Sequence, residues 1–247
     1  MMYPKLRFAL NQKLDYEMGL VFLNSPSVAG RKTAEVAIIA LHQELGGLEN
    51  LDDPQDRQRL EDYINSFYTE NDNQLKKAVS QAEKLWPGIE GDFFAGVDHL
   101  FHGHPWPPGE YIGYPSIFSI NPRFPEDKTF QFYAFDRDNI RHVIVHEMLH
   151  FIFFDYAQKK YPDIYGGLSV NEGPLWTLSE VFNTIILNQP PFAELIRPAQ
   201  DKPYPGHRRL FKMLKDFWEK GGGNINVFLE GALNLRPTFP TDTTIVT

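Results

Sequence analysis

Cysteine is missing from all 247 residues. That absence removes disulfides, cysteine nucleophiles and thiolate metal ligands together, so any metal here must be held by histidine and carboxylate. No apolar run approaches the ~18 residues a membrane span requires, and the first residues, MMYPKLRFALNQKL, lack the apolar centre of a secretory signal. A cytoplasmic protein without a membrane partner is the expectation. Positive charge is also short: 24 Lys and Arg face 32 Asp and Glu, for a net charge of −8. This balance argues against nucleic acid or an acidic membrane surface as partner. Internal repeats and long low-complexity linkers are absent as well, so one compact unit is expected, with the ordinary 42% hydrophobic content of a globular chain.

What is present centres on residues 138–156, DNIRHVIVHEMLHFIFFDY. His146, Glu147 and His150 form the pattern H-E-x-x-H. With eight His and sixteen Glu in the chain, chance would produce it about 0.02 times, so the motif carries weight. On a helix, residues four apart share a face, which lets His146 and His150 present two imidazoles to one ion. Glu147 lies beside them, within reach of a metal-bound water. The flanks are apolar nearly all round, as in a central core helix. Asp136 or Asp138 is expected to cap its start, and Pro162 to stop it after Tyr161. Three His and a Glu inside such a helix are costly to bury without partners, and a metal supplies one. His142 extends the stripe but lies about 12 Å along the axis from His150. It is read as a supporting residue behind the site.

Around this helix the chain reads as follows. Residues 5–10 and 20–23 are short enough for strands. A helix is expected over Ala29–Leu45, stopped by Gly46-Gly47, with His42 compensating the dipole at its end. Polar helices follow from Asp53-Pro54 toward Tyr68 and from Asn71 or Asp72 to Trp86-Pro87, as a solvated layer over the site. A short helix over Gly88–Phe101 leads into a Pro/Gly/aromatic loop of a kind that borders functional sites. Its His102 and His104 are read as surface histidines. Strands are expected over Tyr111–Asn121 and Thr129–Phe135. Helices follow over Pro174–Leu187 and His207–Lys220, and the tail from Arg236 carries no clear pattern. The fold class is α+β, with a small sheet against the metal helix. The working division is an N-terminal layer (1–88), a metal-site core (89–235) and a tail (236–247).

A catalytic zinc keeps three protein ligands and one open position. The metzincin pattern asks for Gly and His three and six residues after the second His. Here those positions hold Phe153 and Tyr156, so that class fails. A deformylase-like site needs a cysteine. A glutamate from a later helix remains, and two compete: Glu172, 22 residues after His150, and Glu180, 30 residues after it. Glu180 sits mid-helix among apolar neighbours and needs a partner if buried. Glu172, at the helix start, already has a role favoured by the dipole.

In His146, Glu147, His150 and a downstream helix-borne Glu, the chain resembles the thermolysin-like gluzincin zinc metallopeptidases. Asn171-Glu172-Gly173 looks like the N-E-G of aminopeptidase-type gluzincins. The run LWTLSEVFNTIIL followed by YPGH is similar instead to a group of small microbial H-E-x-x-H proteins, where a helix-borne Glu precedes Tyr-Pro-x-His. This second likeness favours Glu180. The resemblance implies a zincin-like fold and hydrolysis of a peptide or protein substrate. It implies Zn2+ held by His146, His150 and Glu180, with Glu147 as general base. His207 is the candidate donor to the oxyanion, with Tyr204 as its substitute and Tyr161 and Tyr165 behind them. The competing expectation is a non-catalytic zincin-fold module that binds metal or peptide.

Overall fold

Four short strands make one mixed sheet in a computed structural model that describes residues 3–24, 33–48 and 50–233. They are β1 (Leu6–Phe8), β2 (Tyr111–Ser116), β3 (Arg123–Phe124) and β4 (Thr129–Tyr133), in the order β1-β2-β4-β3. β1 and β4 both run parallel to β2, while β3 is an antiparallel edge strand on β4. At the centre of the sheet Gly113 pairs with Phe8 on one side and Phe130 on the other. A Cβ there would stand 2.9 Å from both rings, so only glycine admits the two aromatics.

The helices are α1 (Gln12–Leu23), α2 (Thr33–Leu41), α3 (Pro54–Glu70), α4 (Asp72–Leu85), α5 (Glu90–Leu100), α6 (Ile140–Lys160), α7 (Pro162–Tyr165), α8 (Gly173–Leu187), α9 (Phe192–Leu195), α10 (Arg208–Lys220) and α11 (Ile225–Leu233). The architecture is therefore α+β, and helix dominates. No helix among the described residues is long and apolar enough to cross a membrane. The tail from Arg236 and the expected helix start at 29–32 lie outside the described residues.

Residues 20–23 are not a strand; they are the last turn of α1. The start signal was Asn11, whose Oδ1 accepts the Leu14 amide at 3.1 Å. β1 and β2 are also shorter than the expected 5–10 and 111–121. Helix α6 begins after Asn139, which makes no side-chain cap. Asp136 instead accepts from the Asn139 side-chain Nδ2 at 2.6 Å, so neither expected aspartate caps the helix. Tyr161 ends α6, and Pro162 opens the single turn of α7.

Two apolar cores result. The larger joins the sheet with α5, α6, α8, α10 and α11; Ile144, Met148 and Ile152 of α6 and Phe182 of α8 are fully enclosed there. Phe153 and Phe182 meet at 4.8 Å between ring centres, which holds α6 and α8 together. The smaller core lies under α1–α4, around Leu60, Ile64, Leu75, Ile117 and Phe118. The Pro/aromatic loop supplies packing, since Trp106 and Tyr111 are buried against Phe93, Phe94 and Phe151.

His42 is a correction. It is buried, its Nδ1 lies 2.7 Å from the Tyr63 hydroxyl, and its Nε2 bonds the Ile117 carbonyl at 2.9 Å. Burial lowers its pKa, so it is a neutral core histidine and not a dipole-compensating cation. His104 is a second. It is no surface residue, because its Nε2 pairs with Asp155 at 2.7 Å in a half-buried contact. His102 is exposed.

Candidate metal centre

Helix α6 and helix α8 lie side by side, and their polar residues face each other. The i,i+4 spacing of α6 stacks His146 on His150, with ring centres 4.7 Å apart. Their Nε2 atoms are 2.9 Å apart. Glu180 comes across from α8: its Oε2 lies 3.2 Å from His146 Nε2 and its Oε1 3.3 Å from His150 Nε2. His150 is 0% exposed and Glu180 2%. Donors set about 2.0–2.1 Å from a tetrahedral zinc lie about 3.3 Å from one another. The three side chains thus already have close to the spacing a shared cation imposes, and the group could hold a metal ion.

Glu147 shares the turn with His146 and is 4% exposed, yet its Oε2 has no hydrogen-bond partner. A buried carboxylate oxygen left unpaired beside converging metal donors fits a water held between it and an ion. Burial pushes Glu147 up to about 7, against the opposing pull of His146 and Arg123. Glu180 behaves oppositely. Burial raises it, but His150, Arg123 and His146 more than reverse this, and it stays ionised well below the usual carboxylate range.

The two histidines also split. Burial pulls both down, but the hydrogen bond and charge of Asp201, with those of Glu180, leave His146 well above its ordinary value. His150 stays low, at about 3, because burial and Arg123 outweigh Glu180. A cation would compete with the proton on His146.

Asp201 lies between α9 and α10 and lines the same cavity as His146 and Glu180. Its Oδ1 is 2.7 Å from His142 Nε2 and 3.5 Å from His146 Nδ1. His142 thus pairs with the carboxylate that faces His146, and His142, His146 and Asp201 form a second group that could hold a metal ion. Asn183 of α8 donates to the His146 carbonyl at 2.9 Å and ties that turn of α6 to α8. Arg123, on edge strand β3, donates to Glu180 Oε1 at 2.9 Å. A buried cation thus partners Glu180 in addition to the histidines.

A cavity of about 460 Å³ has Asn121, Arg123, His142, His146, Glu147 and Glu180 on its walls, and His150 lies behind them, outside its lining. No residue before Ser119 lines it, so α3 and α4 do not roof the site as expected from their charge. Tyr204 is part of the wall; His207 is not. His207 is buried behind, against the rings of Trp176 and Tyr204 at 5.5 and 5.4 Å. Burial and the charge of Glu180 hold the Tyr204 phenol well above its usual pKa, so it remains a hydrogen-bond donor. Glu172 is exposed at the start of α8, and the metal-binding groups among the described residues do not include it. Tyr165 donates to the Leu229 carbonyl and Tyr161 to Glu230, both away from the cavity.

Arg123 and Asp201 were missed in the sequence. Arg123 lies on a two-residue strand and Asp201 in a connection between helices, so no periodicity marks either. The nearest signal was the rule that a metal-bound histidine carries a carboxylate behind it. Comparison of the chain with protein-family models, with curated proteins and with solved structures gives no match, so the reading of the site rests on its own geometry.

Proposed function

We propose that this chain is a zinc-dependent peptidase of the gluzincin type, with a zincin-like fold, acting on peptide or protein substrates in the cytoplasm. The observation that carries the reading is the convergence of His146, His150 and Glu180 within about hydrogen-bond distance of one another, with Glu147 buried alongside and its Oε2 without a hydrogen-bond partner. Zinc, if held by these three residues, would supply a water acidic enough for attack at neutral pH. Glu147, whose Oε2 makes no hydrogen bond, would take a proton from the attacking water and pass it to the leaving amine. Tyr204 donates from the cavity wall to the oxygen that gains charge. His207, packed on the Tyr204 ring, fixes that ring's position.

Elemental analysis and Glu147→Gln test this together. The purified protein should carry one zinc per chain, and the variant should keep it while hydrolysis of a peptide library falls about 10²–10⁴-fold. Equal activity in both forms would sink the mechanism, and a protein that takes up no zinc would sink the site.

One observation favours a second reading. Arg123 already compensates Glu180, so the cluster is not dependent on an ion for its charge balance. A non-catalytic module that binds metal or peptide would use the same residues. It predicts that Glu147→Gln changes nothing measurable in binding or turnover.

A further inference from the structure

Helix α6 carries two pairs of stacked histidines, and the pairs share a member. His142, His146 and His150 follow one another at i, i+4 and i+8. The ring centres of His142 and His146 are 5.9 Å apart, and those of His146 and His150 are 4.7 Å apart. Each pair meets a carboxylate from outside the helix. Glu180 faces the second pair from α8, with Oε2 3.2 Å from His146 Nε2. Asp201 faces the first pair from the connection before α10. Its Oδ1 lies 2.7 Å from His142 Nε2 and 3.5 Å from His146 Nδ1. The donor atoms of these three residues all lie within 4.8 Å of one another.

The hydrogen bond with His142 does not use up Asp201. The Asp201 side chain is only 7% exposed, it lines the cavity, and its Oδ2 has no hydrogen-bond partner. A buried carboxylate oxygen in that state is costly. Glu180 has Arg123 to offset its charge, whereas among the described residues Asp201 forms ion pairs only with the two histidines. Two imidazoles and one carboxylate are a donor set suited to a zinc-class dication. We propose that His142, His146 and Asp201 hold a second zinc-class cation beside the one at His146, His150 and Glu180. The inference rests on the metal-site reading above for the part that His146 Nε2 plays. The middle histidine then serves one ion through Nε2 and the other through Nδ1. A neutral imidazole keeps a proton on one ring nitrogen, and that proton passes to solvent when the second ion binds. The second ion is therefore held more weakly than the first and leaves first on dialysis.

Equilibrium dialysis of the metal-free full chain against buffered free zinc, with bound zinc counted by elemental analysis, tests the assignment. The wild type should bind two zinc per chain in separate steps, and only the tighter should survive dialysis into zinc-free buffer. His142→Ala should lose the weaker step and keep the tighter. Glu180→Ala should lose the tighter and keep the weaker. His142→Gln, whose amide can still donate to Asp201, should also lose the weaker step, and it decides the question if the alanine variant does not fold. His102→Ala, at an exposed histidine, should keep both. A wild type that saturates at one zinc, or a second ion that persists in the His142 variants or leaves with His102, would overturn the assignment while leaving the first site standing. A wild type that binds no zinc would overturn the metal reading itself.

Discussion

Two buried carboxylate clusters in this molecule are built on opposite terms. In the N-terminal layer Asp15 is 0% exposed and takes four hydrogen bonds. They come from Tyr68 at 2.6 Å, Ser116 at 2.6 Å, Gln131 at 2.7 Å and the Ile117 amide at 3.2 Å. All four donors are neutral, and they join α1, α3, β2 and the central strand β4. Around Glu180 the partners are ionisable, and several buried atoms, including Glu147 Oε2 and His150 Nδ1, have no hydrogen bond. A carboxylate whose every lone pair is used is architecture. One surrounded by charge and by unpaired donors and acceptors is poised for something the chain does not itself supply.

The comparison breaks most visibly through metal. Zinc at about a thousandfold excess over its Kd stabilises by about 4 kcal/mol, so a chelator should lower the melting temperature of the wild type sharply. Glu180→Ala should abolish that chelator-dependent shift and lose zinc on dialysis, while Glu172→Ala keeps both. Zinc lost in the Glu172 variant alone would move the third ligand to the helix start.

Asp15→Ala should cost about 3 kcal/mol, because it strands four buried donors. Its signature differs from that of Glu180→Ala: the loss in urea unfolding should be equal with and without chelator, and the zinc content unchanged. If Asp15→Ala instead releases zinc, the two clusters are energetically one and the contrast between them fails.

The two clusters also differ in how far they could be read from the chain. His146, Glu147 and His150 are encoded locally, since one helix turn fixes their mutual position, and Glu180 could be reached by asking what pays to bury a carboxylate among Leu178, Val181 and Phe182. The α+β class and helices α3, α4, α6, α8 and α10 followed from caps, Pro and apolar spacing in the same way. Asp15 was invisible, because its partners lie as far along the chain as Gln131 and each is a residue of ordinary strand or helix composition. Arg123 and Asp201 were invisible for the same reason: tertiary packing alone brings them to the ligands. Leu20–Leu23 was misread as a strand because four apolar residues carry no period, and only the cap at Asn11 marked the helix they end.

Asp201 tests whether a carboxylate beside the ligands matters as much as the ligands. Asp201→Asn keeps the shape but removes the charge that His142 and His146 share. Zinc affinity should fall about 10–100-fold, measured by competition with a chromophoric chelator. An unchanged affinity would reduce the His142–Asp201 pair to packing.

The finest contrast is in the sign of the pH dependence, read on chelator-treated protein. Burial raises the Asp15 pKa above its usual 3.8, and the bonds from Ser116, Tyr68, Ile117 and Gln131 only partly offset this. The folded state then holds the proton more tightly than the unfolded state. The stability gained is complete below pH 3.8 and is lost as pH rises through the folded value. Glu180 has the opposite sign. Burial raises its pKa, but His150, Arg123 and His146 bring it well below the usual 4.5, so its contribution is present above pH 4.5 and lost as pH falls. Asp201 follows Glu180, with His142 and His146 overcoming burial. Asp15→Asn therefore removes a gain on the acid side and should steepen the fall in stability between pH 6 and pH 3, roughly the window these carboxylates span. Glu180→Gln removes a loss and should flatten it. Urea unfolding across that range separates the two, and a flatter acid limb in Asp15→Asn would show that Asp15 is held ionised by its four donors, which would make it the same kind of carboxylate as Glu180.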